Sequence, residues 1–225
     1  MKYNFLIIGF GSIGRRHTRN IKFLYPNSKI YLISKTPTTI FKEENLIYKR
    51  INFKDLDLIK NKMIVFICNT PNLHLKTANK FINLKYSIFI EKPISSNIVG
   101  LKNFISNVRK NKIVCHLGYQ FRYHPLILNV KKLLDKKKFG EIMSVQIKCS
   151  SFLPSWRSGG NYKNEISANK KLGGGVLLEL SHEIDYAYFL FGKFKSVFSN
   201  IFKTQYLEIN SEDCVDFILN KKNFN

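Results

Sequence analysis

YNFLIIGFGSIGRRH, residues 3 to 17, decides the fold. A short β-rich run, Tyr3 to Ile8, passes without a linker into G-x-G-x-x-G. The glycines open a stretch whose apolar positions Ile13, Ile21 and Leu24 suit one face of a helix, and Pro26 and Asn27 end it. Strand, glycine turn and helix in that order make an anion cradle. Gly9 lets the chain turn, Gly11 removes the side chain that would block a pyrophosphate, and Gly14 allows close helix–strand packing. The amides of Ser12 and Ile13 at the helix N-terminus then face the anion. The glycine pattern alone is a weak signal; its place after a strand and before a helix makes it specific.

The same rhythm continues outward. Lys29 to Ile33 and Met63 to Cys68 read as strands, followed by a helix through His74 to Leu84. Ile88 to Ile90 and Ile113 to Leu117 read as strands on either side of a helix from Ile98 to Lys110. Short apolar strands separated by helical stretches imply a parallel sheet covered on both faces. Around residue 120 the rhythm changes. A helix from Leu126 to Lys137, a strand from Ile142 to Ser150 and a long irregular stretch from Phe152 to Lys171 come next. A helix from Val176 to Phe191 and strands at Ser196 to Lys203 and Cys214 to Leu219 complete the chain. The expected class is α/β: a doubly wound parallel Rossmann domain over residues 1–120, then an α+β domain over 121–225 with an open, mainly antiparallel sheet.

Composition bounds the partners. The chain has 225 residues, 44% of them hydrophobic and 14% aromatic, enough for a packed core and outside the range of disordered chains. No window approaches the apolar length of a membrane span, and with glycines and arginines interrupting the N-terminal apolar run no targeting segment is expected. Cys68, Cys115, Cys149 and Cys214 are too widely spaced for a zinc ribbon, and they fit a reducing, cytoplasmic setting with no metal. The net charge of +22 raises the question of nucleic acid. Only seven of the 37 basic residues are arginine, however, and the lysines are scattered. Arginine is the residue suited to planar contacts with bases and phosphates. An AT-rich coding sequence explains the lysines, and no nucleic-acid partner is expected.

In sites that prefer NAD, an acid about twenty residues past the glycines holds the ribose 2′-hydroxyl. Here the second strand ends in Ser34, Lys35 and Thr36, with no carboxylate before Glu43. A cation and hydroxyls suit a 2′-phosphate, so NADP is favoured over NAD.

GFGSIGRRH, together with NTPNLH (69–74), EKP (91–93) and GGGVLLELSHEIDY (173–186), resembles the glucose–fructose oxidoreductase / inositol dehydrogenase / MocA family. Four motifs in the right order, across nearly the whole chain, carry the resemblance. It implies a nicotinamide cofactor, with Asn69, Thr70, Pro71, Asn72 and His74 beside the nicotinamide ribose. Lys92, at the carboxyl end of a strand, would polarise a substrate oxygen near the nicotinamide. Glu91 would orient Lys92 or meet the cofactor ribose, and family members often have the following proline cis. On the helix His182 and Asp185 share a face; His182 would exchange the substrate proton and Asp185 would orient it or hold a hydroxyl. The family acid lies four residues before the histidine, whereas Glu179 lies three before His182. Glu179 is thus either the family acid, aligned on the glycines, or a helix-face carboxylate.

Substrate contacts are expected from GYQFRYHP (118–125) and LPSWRSGGNY (153–162), at Gln120, Arg122, Tyr123, Trp156, Arg157 and Tyr162. Aromatic faces with planar donors suit sugars, and two arginines could hold a carboxylate or phosphate. The implied activity is NAD(P)-dependent hydride transfer at a carbinol or carbonyl carbon of a sugar or sugar derivative, of the surface-polysaccharide or nonulosonate kind. Two alternatives stand: NAD-assisted sugar hydrolysis or elimination, and a non-catalytic cofactor-binding remnant that needs a partner chain. The resemblance also implies that residues 121–225 carry a truncated sheet with an exposed apolar face, the surface through which family members form homo-oligomers.

Overall fold

The computed structural model describes residues 3–35, 41–58, 63–156 and 160–221. Thr36 and Arg157, both expected near a ligand, lie outside them. The chain divides into two compact units, Met1–Gly118 and Tyr119–Asn225.

The first unit alternates strand and helix: β1 (Asn4–Ile8), α1 (Ser12–Leu24), β2 (Lys29–Ile33), β3 (Lys49–Arg50), β4 (Met63–Ile67), α2 (Pro71–Asn83), β5 (Ser87–Ile90), α3 (Leu101–Lys110) and β6 (Cys115–Leu117). Six strands form one sheet in the order β3-β2-β1-β4-β5-β6, every pair parallel. Alternation along the strands sorts the core into two layers. Phe5 and Ile7 pack with Ile21 of α1, whereas Leu6, Ile8, Val65, Ile67, Ile88 and Ile90 pack with Leu75, Ala78, Phe81 and Ile82 of α2. The helices α1 and α2 therefore cover opposite faces. β1 is buried at every position because both of its faces are covered. Strand order reverses between β1 and β4, so the crevice where such sheets take ligands lies at the carboxyl ends of these two strands. The two-residue β3 and the 3-10 turns at Lys42–Leu46 and Phe53–Leu58 add to the expected elements.

The second unit holds α4 (Pro125–Asp135), α5 (Val176–Glu179), α6 (Ser181–Phe191), β7 (Ser196–Phe202) and β8 (Cys214–Asn220), with four single-turn 3-10 helices between Leu153 and Leu172. β7 and β8 pair antiparallel from Ser196–Asn220 to Phe202–Cys214. Two expectations change here. The helix expected over 176–191 breaks at Leu180, whose φ of −97° and ψ of 26° leave the helical range. The strand expected at Ile142 to Ser150 joins no sheet among the described residues. A strand needs a neighbour for its backbone donors and acceptors, and alternation of side chains cannot supply one. Instead Val145 to Ser151 line a cavity of about 640 Å³, whose other walls include α5, α6 and β8. Large apolar side chains of this unit stay in solvent: Met143 is 85% exposed, Phe198 62% and Ile218 64%. No helix among the described residues is long and apolar enough to cross a membrane.

Candidate functional site

At the end of β1 the three motif glycines meet different constraints. Gly9 has φ +93°, and a Cβ there would lie 2.7 Å from the Cys68 carbonyl oxygen. A Cβ on Gly14 would lie 2.1 Å from the carbonyl oxygen of Gly9, so only glycine lets α1 approach its own turn. A Cβ on Gly11 meets nothing within 4 Å. The fold therefore needs Gly9 and Gly14, while Gly11 leaves open space at the N-terminus of α1. Ser12 is exposed beside it, and Gly11 caps the helix without a side-chain bond. The first-turn amides are thus available to an anion.

β4 ends next to this cradle. Asn69 Nδ2 donates to Thr77 Oγ1 at 2.9 Å, and among the described residues nothing donates to the buried Asn69 Oδ1. An unmatched buried acceptor is costly, and an amide or hydroxyl donor of a ligand would satisfy it. Thr70 Oγ1 donates to Asn72 Oδ1 at 2.6 Å, and Pro71 takes the first helical position of α2. The open cradle and the unmatched acceptor, both at the reversal point of the sheet, fit a dinucleotide.

At the end of β2, Ser34 and the exposed Lys35 follow the strand, and Arg50 donates to the Ser34 carbonyl. Glu43, the first carboxylate after the glycines, is engaged by Arg15 and Arg19 of α1. Backbone hydrogen bonding first, and then Arg19 and Arg15, hold its pKa below the ordinary value against the effect of burial.

β5 delivers Glu91, Lys92 and Pro93, and the Lys92–Pro93 peptide bond is cis. Glu91 Oε1 lies 2.5 Å from His17 Nε2, and Oε2 accepts from the Lys92 amide at 3.3 Å. Gly118 makes room for this carboxylate, since a Cβ there would approach Oε2 to 3.0 Å. His74, expected beside the cofactor, is 1% exposed. Its Nδ1 lies 2.7 Å from the Pro93 carbonyl oxygen and its Nε2 lies 2.9 Å from that of Asn69. Both ring nitrogens face carbonyls of the chain itself, one from each of two loops, and a neutral ring donates its single N–H to one of them. Burial depresses its pKa; the two carbonyls and Glu91 oppose that, and Lys92 adds to it.

In the second unit Arg122 and Asp185 bind each other. Arg122 Nε donates to Asp185 Oδ2 at 2.8 Å and to Oδ1 at 3.1 Å, and Nη2 donates to Oδ1 at 2.7 Å. Asp185, expected to orient His182 or hold a hydroxyl, and Arg122, expected at the substrate, are thus partners of one another in this structure. The His182 ring instead packs between aromatic neighbours, with centroids 4.8 Å from Phe121 and 5.7 Å from Tyr119. Glu179 lies on α5, before the break, and accepts from Ser167 Oγ at 3.0 Å. Close packing places it there, since a Cβ on Gly174 would lie 2.0 Å from the Ile166 carbonyl oxygen. Glu179 lines the cavity together with Trp156. The Tyr162 hydroxyl accepts from the Glu208 amide at 3.4 Å, while Gln120 and Tyr123 are exposed. Among the described residues no group of His, Cys, Asp and Glu could hold a metal ion.

Arg122→Ala would leave the Asp185 carboxylate, 9% exposed, without its two-pronged partner. A fully buried pair would lose more, but Arg122 is itself 38% exposed. The expected loss is about 1–2 kcal/mol by urea unfolding. Because the carboxylate is then no longer left unpaired, adding Asp185→Leu should recover part of it.

Residues 3–119 match the sequence model of an oxidoreductase family with an NAD-binding Rossmann fold, and residues 127–223 match that of the GFO/IDH/MocA C-terminal domain. An uncharacterized oxidoreductase of Bacillus subtilis, YrbE, is 27% identical over 138 residues, 60% of this chain and 40% of that protein. The inositol 2-dehydrogenase/D-chiro-inositol 3-dehydrogenase of Lacticaseibacillus casei is 24% identical over 217 residues, 93% of this chain and 59% of its own length. The chain thus spans about half the length of the curated relatives it matches. Among solved structures, the WlbA dehydrogenase from Bordetella pertussis, in complex with NADH and UDP-GlcNAcA, superimposes with a TM-score of 0.81 at 18% identity, covering 97% of this chain and 68% of that one.

Proposed function

The chain belongs to the GFO/IDH/MocA family of oxidoreductases, and from that membership we propose that it binds a nicotinamide dinucleotide and transfers hydride to or from a sugar-like ring. The observation that supports this best is the open cradle at Gly11, the one motif glycine the fold does not require. A nicotinamide held at this cradle would supply hydride acceptance or donation at a carbinol or carbonyl carbon. Within the first unit Lys92 would polarise a substrate oxygen, and within the second His182 would be the group that exchanges a proton. The pyrophosphate would lie on the amides of Ser12, Ile13 and Gly14, and Asn69 would meet the ribose or carboxamide. The substrate class is supported by relatives named for inositol and by a structural neighbour holding UDP-GlcNAcA, all rich in ring hydroxyls. A surface-polysaccharide or nonulosonate-type pathway and a homo-oligomer formed through the C-terminal sheet belong to the same proposal.

NADP is proposed over NAD. Lys35 is exposed at the end of β2, Arg50 bonds the Ser34 carbonyl, and the nearest acid is committed to two arginines. Fluorescence titration of the purified chain should give saturable binding with NADPH tighter than NADH, by about tenfold for one added charge-assisted contact. Equal affinity would remove the preference. A folded chain that binds neither nucleotide would overturn the whole reading. After binding, a screen of sugars and cyclitols with Lys92→Ala as control tests the chemistry.

The uncovered apolar side chains of the second unit favour a second reading, a chain that binds dinucleotide but turns over only with a partner. Tight binding without turnover on any cyclitol or nucleotide sugar would select it.

A further inference from the structure

Lys92 lies two residues beyond the end of β5. The last ladder-type contact is the Glu91 amide bonded to the Ile67 carbonyl at 3.0 Å, and the chain then leaves β5. The two residues flanking Lys92 are nonetheless both held, each by a histidine from a different helix. His17, on α1, meets the Glu91 carboxylate, and its ring lies 5.1 Å from both Phe66 and Phe89, which stack on each other at 4.8 Å. His74, on α2, lies between the Pro93 and Asn69 carbonyls, and as the Nδ1–H tautomer it donates to Pro93 at 2.7 Å. Since α1 and α2 cover opposite faces of the sheet, the turn is gripped from both sides.

We propose that His17 and His74 are positioning residues that fix Lys92 by bracing Glu91 and Pro93. The meaning of this brace for catalysis rests on the reading of Lys92 given above. Polar groups at low exposure are expensive to bury, and an apolar side chain would fill either place more cheaply. Here the polar contacts converge on the one turn that carries the ammonium. The charged and titratable groups around the turn are Glu91 and Lys92 themselves, His17 from α1, His74 from α2 and the buried Cys68 after β4, whose thiol pKa is raised by burial and by Glu91. His74 also lies against the Asn69 carbonyl, so the loop with the unmatched acceptor and the loop with Lys92 meet at one ring.

The test is the rate at which each lysine is acetylated by an N-hydroxysuccinimide ester, read by peptide mass spectrometry, with remote lysines such as Lys131 and Lys163 as internal references. His17→Leu and His74→Leu should each change the rate at Lys92 by about fivefold, the weight of one lost net hydrogen bond, and leave the references unchanged. His17→Gln, which keeps a donor for Glu91, should return Lys92 most of the way to the wild-type rate. If a leucine variant fails to fold, His17→Met or His74→Met carries the comparison, and a changed rate confined to Lys92 supports the brace. Unchanged Lys92 rates, or changes spread evenly over the lysines, overturn it. The same samples are titrated with NADPH. A wild-type chain that binds no dinucleotide sinks the reading of the site and leaves the Lys92 rates to judge the brace. A chain that binds, with Lys92 unmoved in the variants, overturns the brace alone.

Discussion

A Gly11→Asp chain should melt no lower than the wild type and bind a dinucleotide about a thousandfold more weakly. The first half follows from the open space around Gly11, whose φ of −68° suits any residue. Aspartate is also a better N-cap than glycine by a few tenths of a kcal/mol, so α1 should gain slightly. The second half follows from charge. A carboxylate about 4 Å from a pyrophosphate repels it by about 4 kcal/mol at a near-surface dielectric, which is on the order of a thousandfold in affinity. The outcome that would sink the assignment is retained binding in a folded variant. Thermal unfolding and NADPH titration of one preparation check both halves.

Gly14→Ala should do the opposite, weakening the fold before it affects any ligand. Helix propensity alone favours alanine over glycine by about 1 kcal/mol. Against that, the new methyl would lie 2.1 Å from the Gly9 carbonyl oxygen, a backbone atom that cannot swing away. Either α1 lifts from β1 or the turn opens, and overpacking of this kind outweighs the propensity gain. A net loss of about 2–4 kcal/mol is expected from urea unfolding. Stability equal to wild type would show that the turn yields more easily than its geometry suggests. Two glycines of one motif, three residues apart, thus separate binding from folding.

Much of the first unit is legible locally. Each strand from β1 to β6, apart from the two-residue β3, is an apolar run between turn residues, and α1 carries its own stop signal in Pro26 and Asn27. Pairings are harder to read because they join distant residues. His17 and Glu91 both stand in quoted motifs, yet they lie 74 positions apart, and neither motif says that the first holds the second. Arg122 and Asp185 were each picked as ligand-facing, but over 63 positions no pattern marks them as partners for one another. The segment from Ile142 to Ser150 fails for a different reason. Its alternation is that of a strand, but a strand exists only with a neighbour, and among the described residues it has none. For Glu179 the sequence shows the spacing to the glycines and to His182, but not that it accepts from Ser167, twelve positions earlier.

The bare hairpin also makes this molecule a colloid whose solubility depends on its counterions. Phe198 and Ile218 form a cross-strand pair that faces water, on a protein carrying a net charge of +22. In dilute buffer the repulsion between two such molecules reaches about 30 Å and keeps these patches apart; in molar salt it shrinks to about 3 Å. Light scattering should therefore rise steeply as sodium chloride is raised, and Phe198→Lys with Ile218→Thr should flatten the curve. The lysines, read at first as a residue of genomic composition, would then also keep an adhesive surface from meeting its own copies.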